Sequence, residues 1–373
     1  MPQGKSATWQ LSYTYYTAYN NRLTGQGTLT IIPRNTVSRV RITGDWSEFE
    51  GIVKHTNKDI WLPLDMSKGM PKGTLSLAEG CTATNVCKAF TIGKLTGKGS
   101  LAHPVADFKS QSAVSGNNTW NIGNSDLGDF IFEGTFTDGG GANKCIFNKI
   151  GTCKMTVGGK SNHSGATTVK EGELCLRSGA QLGTGTLTVS PGAVLSGVTA
   201  AKTPLVNATV TVGGTLQPGA TPTAVTGTLY FDNRKVTVSP TGTLVIRAAG
   251  ATLNTSLNGI STLTINGTLR IEVADDLTLQ EGDEIRLWPE TTKFAGTPTF
   301  DMQGGVTWDT SRISEGVLVV KSVVSGLAAA LADRDPARIY DLRGRLVRNR
   351  DNDSRPLAPG IYIRAGRKVM VKE

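Results

Sequence analysis

Charge is the first thing this chain is short of. Of its 373 residues, 18 % are Asp, Glu, Lys or Arg, against about 25 % in ordinary globular proteins. Aromatic residues make up 6 %. No long stretch of Ala, Glu, Lys, Leu and Arg keeps helical spacing, which excludes a mainly helical protein. Gly is abundant, 45 residues, but shows no three-residue period, so collagen is excluded as well. The five cysteines, Cys81, Cys87, Cys145, Cys153 and Cys175, include no Cys-x-x-Cys pair. The three histidines, His55, His103 and His163, stand at no zinc-ligand spacing. Neither a metal nor a cofactor is expected. No apolar run reaches the ~20 residues of a membrane span; the longest candidate, Val317 to Ala332, is broken by Lys321, Ser322, Ser325 and Gly326. The opening Met1-Pro2-Gln3-Gly4-Lys5-Ser6 lacks the apolar core of a secretory leader.

What charge there is sits unevenly. The net charge is +9, and from Lys321 onward 12 Lys/Arg face 6 Asp/Glu, so the last 53 residues hold +6 of it. A nucleic-acid binder carries its basic stripe on the main fold, interleaved with aromatics. Nucleic acid is therefore not an expected partner.

The abundant feature is a repeat. Gly-Thr-Leu starts at Gly27, Gly73, Gly185, Gly214, Gly227, Gly242 and Gly267, with variants at Gly134, Gly151 and Gly172. Each opens a short polar/apolar alternation, the pattern of a half-buried strand entered through a turn. Spacings of 21 (151 to 172) and 42 (172 to 214, 185 to 227) suit a coil of about 20–25 residues. One such coil cannot bury its apolar face, whereas stacked coils bury each other's Leu, Val and Ile. About fourteen coils and a rod of about 65–70 Å follow from a ~4.8 Å rise per coil. Short strands with frequent turns also suit an antiparallel β-sandwich, and periodicity alone leaves both open.

Two segments carry resemblances. Lys149 to Gly159, followed by Ser161 to Leu176, with the lead-in Asp129 to Thr135, resembles the autotransporter-associated β-strand repeat, best seen over 129–198. That resemblance implies an all-β fold, a right-handed parallel β-helix of a surface-displayed passenger. Cys153 and Cys175 stand where the family has Leu, one coil apart, and are expected to stack as small apolar residues or to pair. Cys81 and Cys87 bracket a short loop that a disulfide between them would staple. His163 takes the family's aromatic position and is expected at the surface.

The second resemblance lies at the end of the chain. Ile339-Tyr340-Asp341, Gly344-Arg345, Gly360-Ile361-Tyr362-Ile363 and Lys368, with Val347, Leu357, Gly366, Val369 and Lys372, resemble the type IX secretion C-terminal sorting domain. It implies export in a Gram-negative bacterium to the cell surface or beyond, with secretion machinery as partner. A leader is then expected to be missing from this chain. The expected organisation is an aromatic-rich cap or remnant over 1–22, the β-helix over 23–322, a linker over 323–336 and the sorting-type module over 337–373.

Since β-helices often degrade glycans, acids were sought at hydrolytic spacing. Asp129 and Glu133 alternate on one strand and share a face; they are the weak catalytic candidates. Asp138 before a Gly run reads as a solvated turn. No Gly-x-Ser-x-Gly elbow and no His-Glu-x-x-His occurs. Tyr13, Tyr15 and Tyr19 share parity and would make a sugar-stacking strip if exposed, or an end cap if buried. The expectation is a structural or adhesive passenger that binds a surface glycan or host ligand without catalysis. The alternative is a polysaccharide lyase or glycoside hydrolase of the β-helix type, or its non-catalytic fragment.

Overall fold

In the computed structural model, residues 1–11, 18–33, 41–58, 61–104, 116–139, 143–274, 279–302, 305–323, 335, 338–341, 344–348 and 357–371 are described. The first Gly-Thr-Leu motif shows how the sequence folds. Gly27 turns the chain, and Thr28–Pro33 extends as a strand with Leu29, Ile31 and Pro33 buried and the residues between them facing outward. Its partners lie one coil away. Thr28–Pro33 pairs in parallel with Ser6–Leu11 before it and Ile52–His55 after it. The ladder continues through Met70–Leu77, Ala89–Gly97, Phe130–Phe132, Lys154–Val157, Glu173–Leu176, Val194–Gly197, Thr215–Pro218, Thr243–Gly250, Thr268–Val273 and Thr299–Met302. Thirteen strands thus stack on one face, here face B. At strand spacing they span roughly 58 Å, somewhat under the expected length.

Two further faces close each coil. Face A, absent as a strand from the first coils, precedes face B in the later ones and contains Asn118–Ile122, Cys145–Lys149, Thr167–Val169, Leu187–Val189, Thr209–Val212 and, later, Lys293–Ala295. Face C follows face B and contains Ala18–Arg22, Arg41–Asp45, Leu62–Leu64, Thr82–Asn85, Ser100–Ala102 and Thr135–Thr137. Gly227–Val238 and Leu253–Ile265 turn a corner without leaving the sheet, at Asn233 (φ 52°) and Gly259 (φ 67°). The fold is the expected parallel β-solenoid, and the antiparallel sandwich is excluded. The parallel stack already begins at Ser6, inside the stretch expected to precede it: Ser6–Leu11 and Ala18–Arg22 both pair with strands of the next coil.

Register makes the interior. On face B, Leu29, Val53, Leu75 and Leu95 stack in sequence, and Phe130, Met155, Leu174, Leu195, Leu216, Leu244 and Leu269 carry on the row. Nearly all are solvent-free. On face A, Phe90, Trp120, Phe147, Thr167, Leu187, Val210, Val236 and Leu263 form the equivalent row. Outward on face A, Thr168, Thr188, Thr211, Thr237 and Thr264 are in register; β-branched side chains suit such a pleated surface.

The corner glycines are a packing requirement. Between faces A and B one coil's backbone lies directly on the next. A Cβ on Gly51 would come 2.0 Å from the Gly27 carbonyl oxygen, and one on Gly267 would come 2.2 Å from that of Gly242. The C-terminal end of the solenoid is closed differently. Glu284–Arg286 and Val306–Asp309 flank Val317–Val323 in a small antiparallel sheet. Ile339–Tyr340, Leu346–Arg348, Gly360–Arg364 and Arg367–Val371 form a second one. Most of the expected linker lies outside the described residues.

Replacing Gly267 by Ala should therefore cost about 1–3 kcal/mol, the range of an overpacked core. The outward Thr243→Ser should stay within ±0.5 kcal/mol or so. Chemical denaturation of both variants checks this; equal midpoints would show that the corner does not constrain the stack.

Candidate functional site

Among the described residues, polar clefts open on the solenoid surface at three places. The largest of these three, about 700 Å³, lies along the A/B corner over the first coils and is lined by Gln3, Gln26, Glu50, Ile52, Lys72, Asn124, Asp126 and Leu127. Gln26, Glu50 and Lys72 each precede a corner glycine in successive coils, so stacking aligns them. Gln26 Nε2 donates to Glu50 Oε2 at 2.8 Å, and Lys72 Nζ pairs with Glu48 at 2.5 Å. That hydrogen bond to Glu48 holds the Lys72 ammonium above its ordinary pKa. One wall is the 3-10 turn Ser125–Leu127, capped by Asn124, whose Oδ1 accepts from the Asp126 amide at 2.9 Å. Asn124 Nδ2 in turn donates to the Pro71 carbonyl at 2.9 Å, tying the turn to the coils beneath.

The same turn separates this cleft from a second, about 540 Å³, lined by Asp129, Thr152, Lys154, Glu173, Val194 and Pro222. Ser125 Oγ accepts from both the amide and hydroxyl of Thr152 at 2.9 Å. Lys154 pairs with Glu173 at 2.8 Å. Burial opposes the Lys154 charge, but the Glu173 bond and the adjacent Cys175 thiol outweigh it, and its pKa rises. A third cleft, about 480 Å³, lies on face C among Asn20, Asn21, Arg22, Asp45, Ser67 and Lys68. There the hydrogen bonds from Lys68 and Ser47 hold the Asp45 carboxyl far below its usual range.

Asp129 and Glu133 do share the outward face of one strand segment, as expected. Four residues of extended chain separate them by about 13 Å, beyond the ~5–9.5 Å of a two-carboxylate hydrolytic pair. Each also has a structural partner: Asp129 Oδ1 accepts from the Lys154 amide at 2.8 Å, and Glu133 pairs with Arg177 at 2.9 Å.

None of the five thiols is in a disulfide. Burial pushes Cys87 up to about 11 and Cys145 higher still. The Cys153–Cys175 pairing fails on register. Glu173 aligns with Lys154, so Gly172 aligns with Cys153, and Cys175 lies opposite Thr156. Both thiols are buried: Cys153 joins the apolar core cluster, while Cys175 stands in the alternate row between Thr156 and Ser196. Cys81 and Cys87 bracket a strand of face C, Thr82–Asn85, rather than a loop. Among the described residues no group of three or more His, Cys, Asp or Glu is placed to hold a metal ion.

Two expectations about single residues are corrected. His163 is not at the surface: it is fully buried, edge-on to Phe136 with centroids 5.8 Å apart, its Nε2 2.9 Å from Thr167 Oγ1. The His163 ring fills a corner behind the inward-facing Thr167. Asp138 is likewise no solvated turn, since its two oxygens accept from the amides of Cys145 (2.7 Å) and Ser164 (2.9 Å) and staple two coils. Composition also hid Lys149. It occupies an inward row between Ile122 and Val169, and its ammonium donates to the carbonyls of Ile150, Gly151 and Glu171 at 2.8–3.2 Å. Burial lowers its pKa.

Tyr13 and Tyr15 lie outside the described residues. Tyr19 is half-buried, its ring edge-on to Trp9 at 5.2 Å within the first coil, an end-packing role. At the other end, Asp341 accepts from the Arg345 amide (3.0 Å) and pairs with its guanidinium (2.8 Å), closing a turn over Gly344 (φ 80°). Gly360, Ile361 and Tyr362 pair with Val371, Met370 and Val369, and Ile363 with Lys368, across a hairpin turned by Ala365 (φ 49°) and Gly366 (φ 71°). Positive φ at both central residues is the hairpin geometry that follows strand twist.

No protein-family model matches this chain, and no curated protein is similar to it. The clefts, missed in the sequence, had a legible signal: the residue before each corner glycine recurs once per coil.

Burial holds the His163 pKa down at about 4, with the Asp138 charge opposing it. Between the ordinary 6.5 and that value the unfolded chain binds a proton that the folded chain refuses. The stability involved is complete above about pH 6.5 and is lost as pH falls toward 4. Thermal melts across that window should show the decline, and His163→Phe should flatten it; an unchanged slope in the variant would assign the acid sensitivity elsewhere.

Proposed function

We propose that this chain is an exported, surface-displayed β-solenoid that binds glycans along its A/B corner, as an adhesive passenger without turnover. The observation that carries this reading is the pair of polar clefts strung along that corner, the first with Gln26, Glu50 and Lys72 repeated at coil spacing. Amides, carboxylates and an ammonium on a rigid backbone offer the convergent polar groups that fix a sugar's hydroxyls. A rod with such sites in a row gains by multivalent contact with a polymer. The wide separation of Asp129 and Glu133, and the burial that raises the pKa of Cys87 and Cys145, favour binding over bond cleavage.

Export to a Gram-negative cell surface, with the secretion machinery as partner, is the part of the proposal that rests on the C-terminal resemblance. It is supported by the way Ile339, Tyr340, Asp341, Gly344 and Arg345 form one hairpin and Gly360, Ile361, Tyr362 and Lys368 the next. Among the described residues no helix is long and apolar enough to cross a membrane.

A glycan array with the whole chain should give a discrete set of bound glycans. Glu50→Gln with Lys72→Ala should weaken them at least about tenfold, or roughly 1.4 kcal/mol, with no change in melting temperature. Release of reducing ends or unsaturated uronates from any polysaccharide would overturn the non-catalytic reading. In a type IX-competent host, removal of 337–373 should leave the protein in the periplasm; normal display of the truncated chain would refute the sorting role.

A further inference from the structure

The C-terminal sheet is the least self-sufficient part of the surface. Among the described residues seven large apolar side chains stand exposed, and four of them, Leu346 (47 %), Val347 (39 %), Ile361 (44 %) and Met370 (67 %), belong to this sheet. Cross-strand pairing puts Ile361 and Met370 side by side on one face. Tyr340 and Leu346 stand on the same side of the sheet, but Ile363 between them is fully buried, so the open apolar part of the face is the Ile361–Met370 pair, with Leu346 at the far edge.

The sequence here is basic: residues 337–373 hold ten Lys or Arg against four Asp or Glu. Lys368 lies on the same face as Met370, while Arg364 and Arg367, paired with each other at the hairpin tip, belong to the opposite face. All three are exposed.

These features select the occupant by charge complementarity. A second copy would bring the same positive excess and be repelled. A nucleic acid would satisfy the cations but leave Met370 and Ile361 in water. A bilayer with anionic headgroups meets both demands, taking apolar side chains at the headgroup–acyl boundary and pairing phosphates with the cations around them. We propose that this face docks the protein on an anionic lipid surface, with Ile361 and Met370 entering the boundary, Lys368 on a lipid phosphate beside them and Arg367 adding positive charge at the hairpin tip. The docking is peripheral and independent of the corner clefts, so it stands or falls apart from glycan binding.

The test is co-sedimentation of the whole chain with vesicles of phosphatidylcholine alone and of phosphatidylcholine mixed with phosphatidylglycerol. Binding is expected only to the mixed vesicles and should fall with added salt. Arg367→Gln with Lys368→Gln should weaken it about tenfold, and Ile361→Ser with Met370→Ser by a similar factor. These positions are exposed, and circular dichroism of each variant verifies the fold. Three results would each overturn the proposal: no binding to mixed vesicles at low salt; unchanged binding by the apolar variant, which would leave only adsorption of a basic tail; or full competition by an oligonucleotide that the apolar variant binds equally well.

Discussion

Everything in this molecule depends on backbone lying on backbone. Each coil satisfies its amides and carbonyls on the coil before and the coil after, so the positions of thirteen strands on face B are fixed by hydrogen bonds that run along the axis. That spacing, about 4.8 Å, is shorter than any side chain placed between two corners could accept. The corner glycines follow from it, and so does the strict in-and-out alternation. A slip of one residue would turn the Leu row of face B to solvent.

The polar groups inside are answers to the same constraint. Where the row of face A meets a corner at Lys149, a long aliphatic stem continues the apolar stack and the ammonium gathers three carbonyls that the turn leaves without strand partners. His163 Nε2 and Thr167 Oγ1 lie within hydrogen-bond distance, 2.9 Å, at another corner. Asp138 joins two coils through their amides. Chemistry-bearing residue types are thus consumed by the scaffold, and what remains for ligands is the outer side of the corner, where the turn Ser125–Leu127 divides two clefts.

The alternation after Gly-Thr-Leu made the strands and their buried faces legible, because Leu in and Thr out is a local pattern. Gly27, Gly73, Gly214, Gly242 and Gly267 all announced entry to face B. The C-terminal hairpins were legible for a similar reason, Gly344 and Ala365-Gly366 being turn chemistry. Residue-by-residue burial was less so. His163 and Asp138 read as surface groups because their partners, Phe136, Thr167, Cys145 and Ser164, are brought to them by coil stacking that composition does not encode. The line of Gln26, Glu50 and Lys72 was hidden for the same cause: they are neighbours in space at intervals of 24 and 22 residues. Gly259 makes a bend within one continuous strand, since a single positive φ suffices to round the corner.

The wedge Ser125–Leu127 shows what a solenoid of this kind tolerates. It leaves the coil at a corner, adds its bulk to the exterior, and returns without disturbing the rows of Phe90, Trp120 and Phe147 beneath. Since each coil touches only its neighbours, whole coils are in the same way units of heredity. Duplicating one would lengthen the reach of the molecule by a single rung and carry one more lining residue into the furrow, with no redesign of the cross-section.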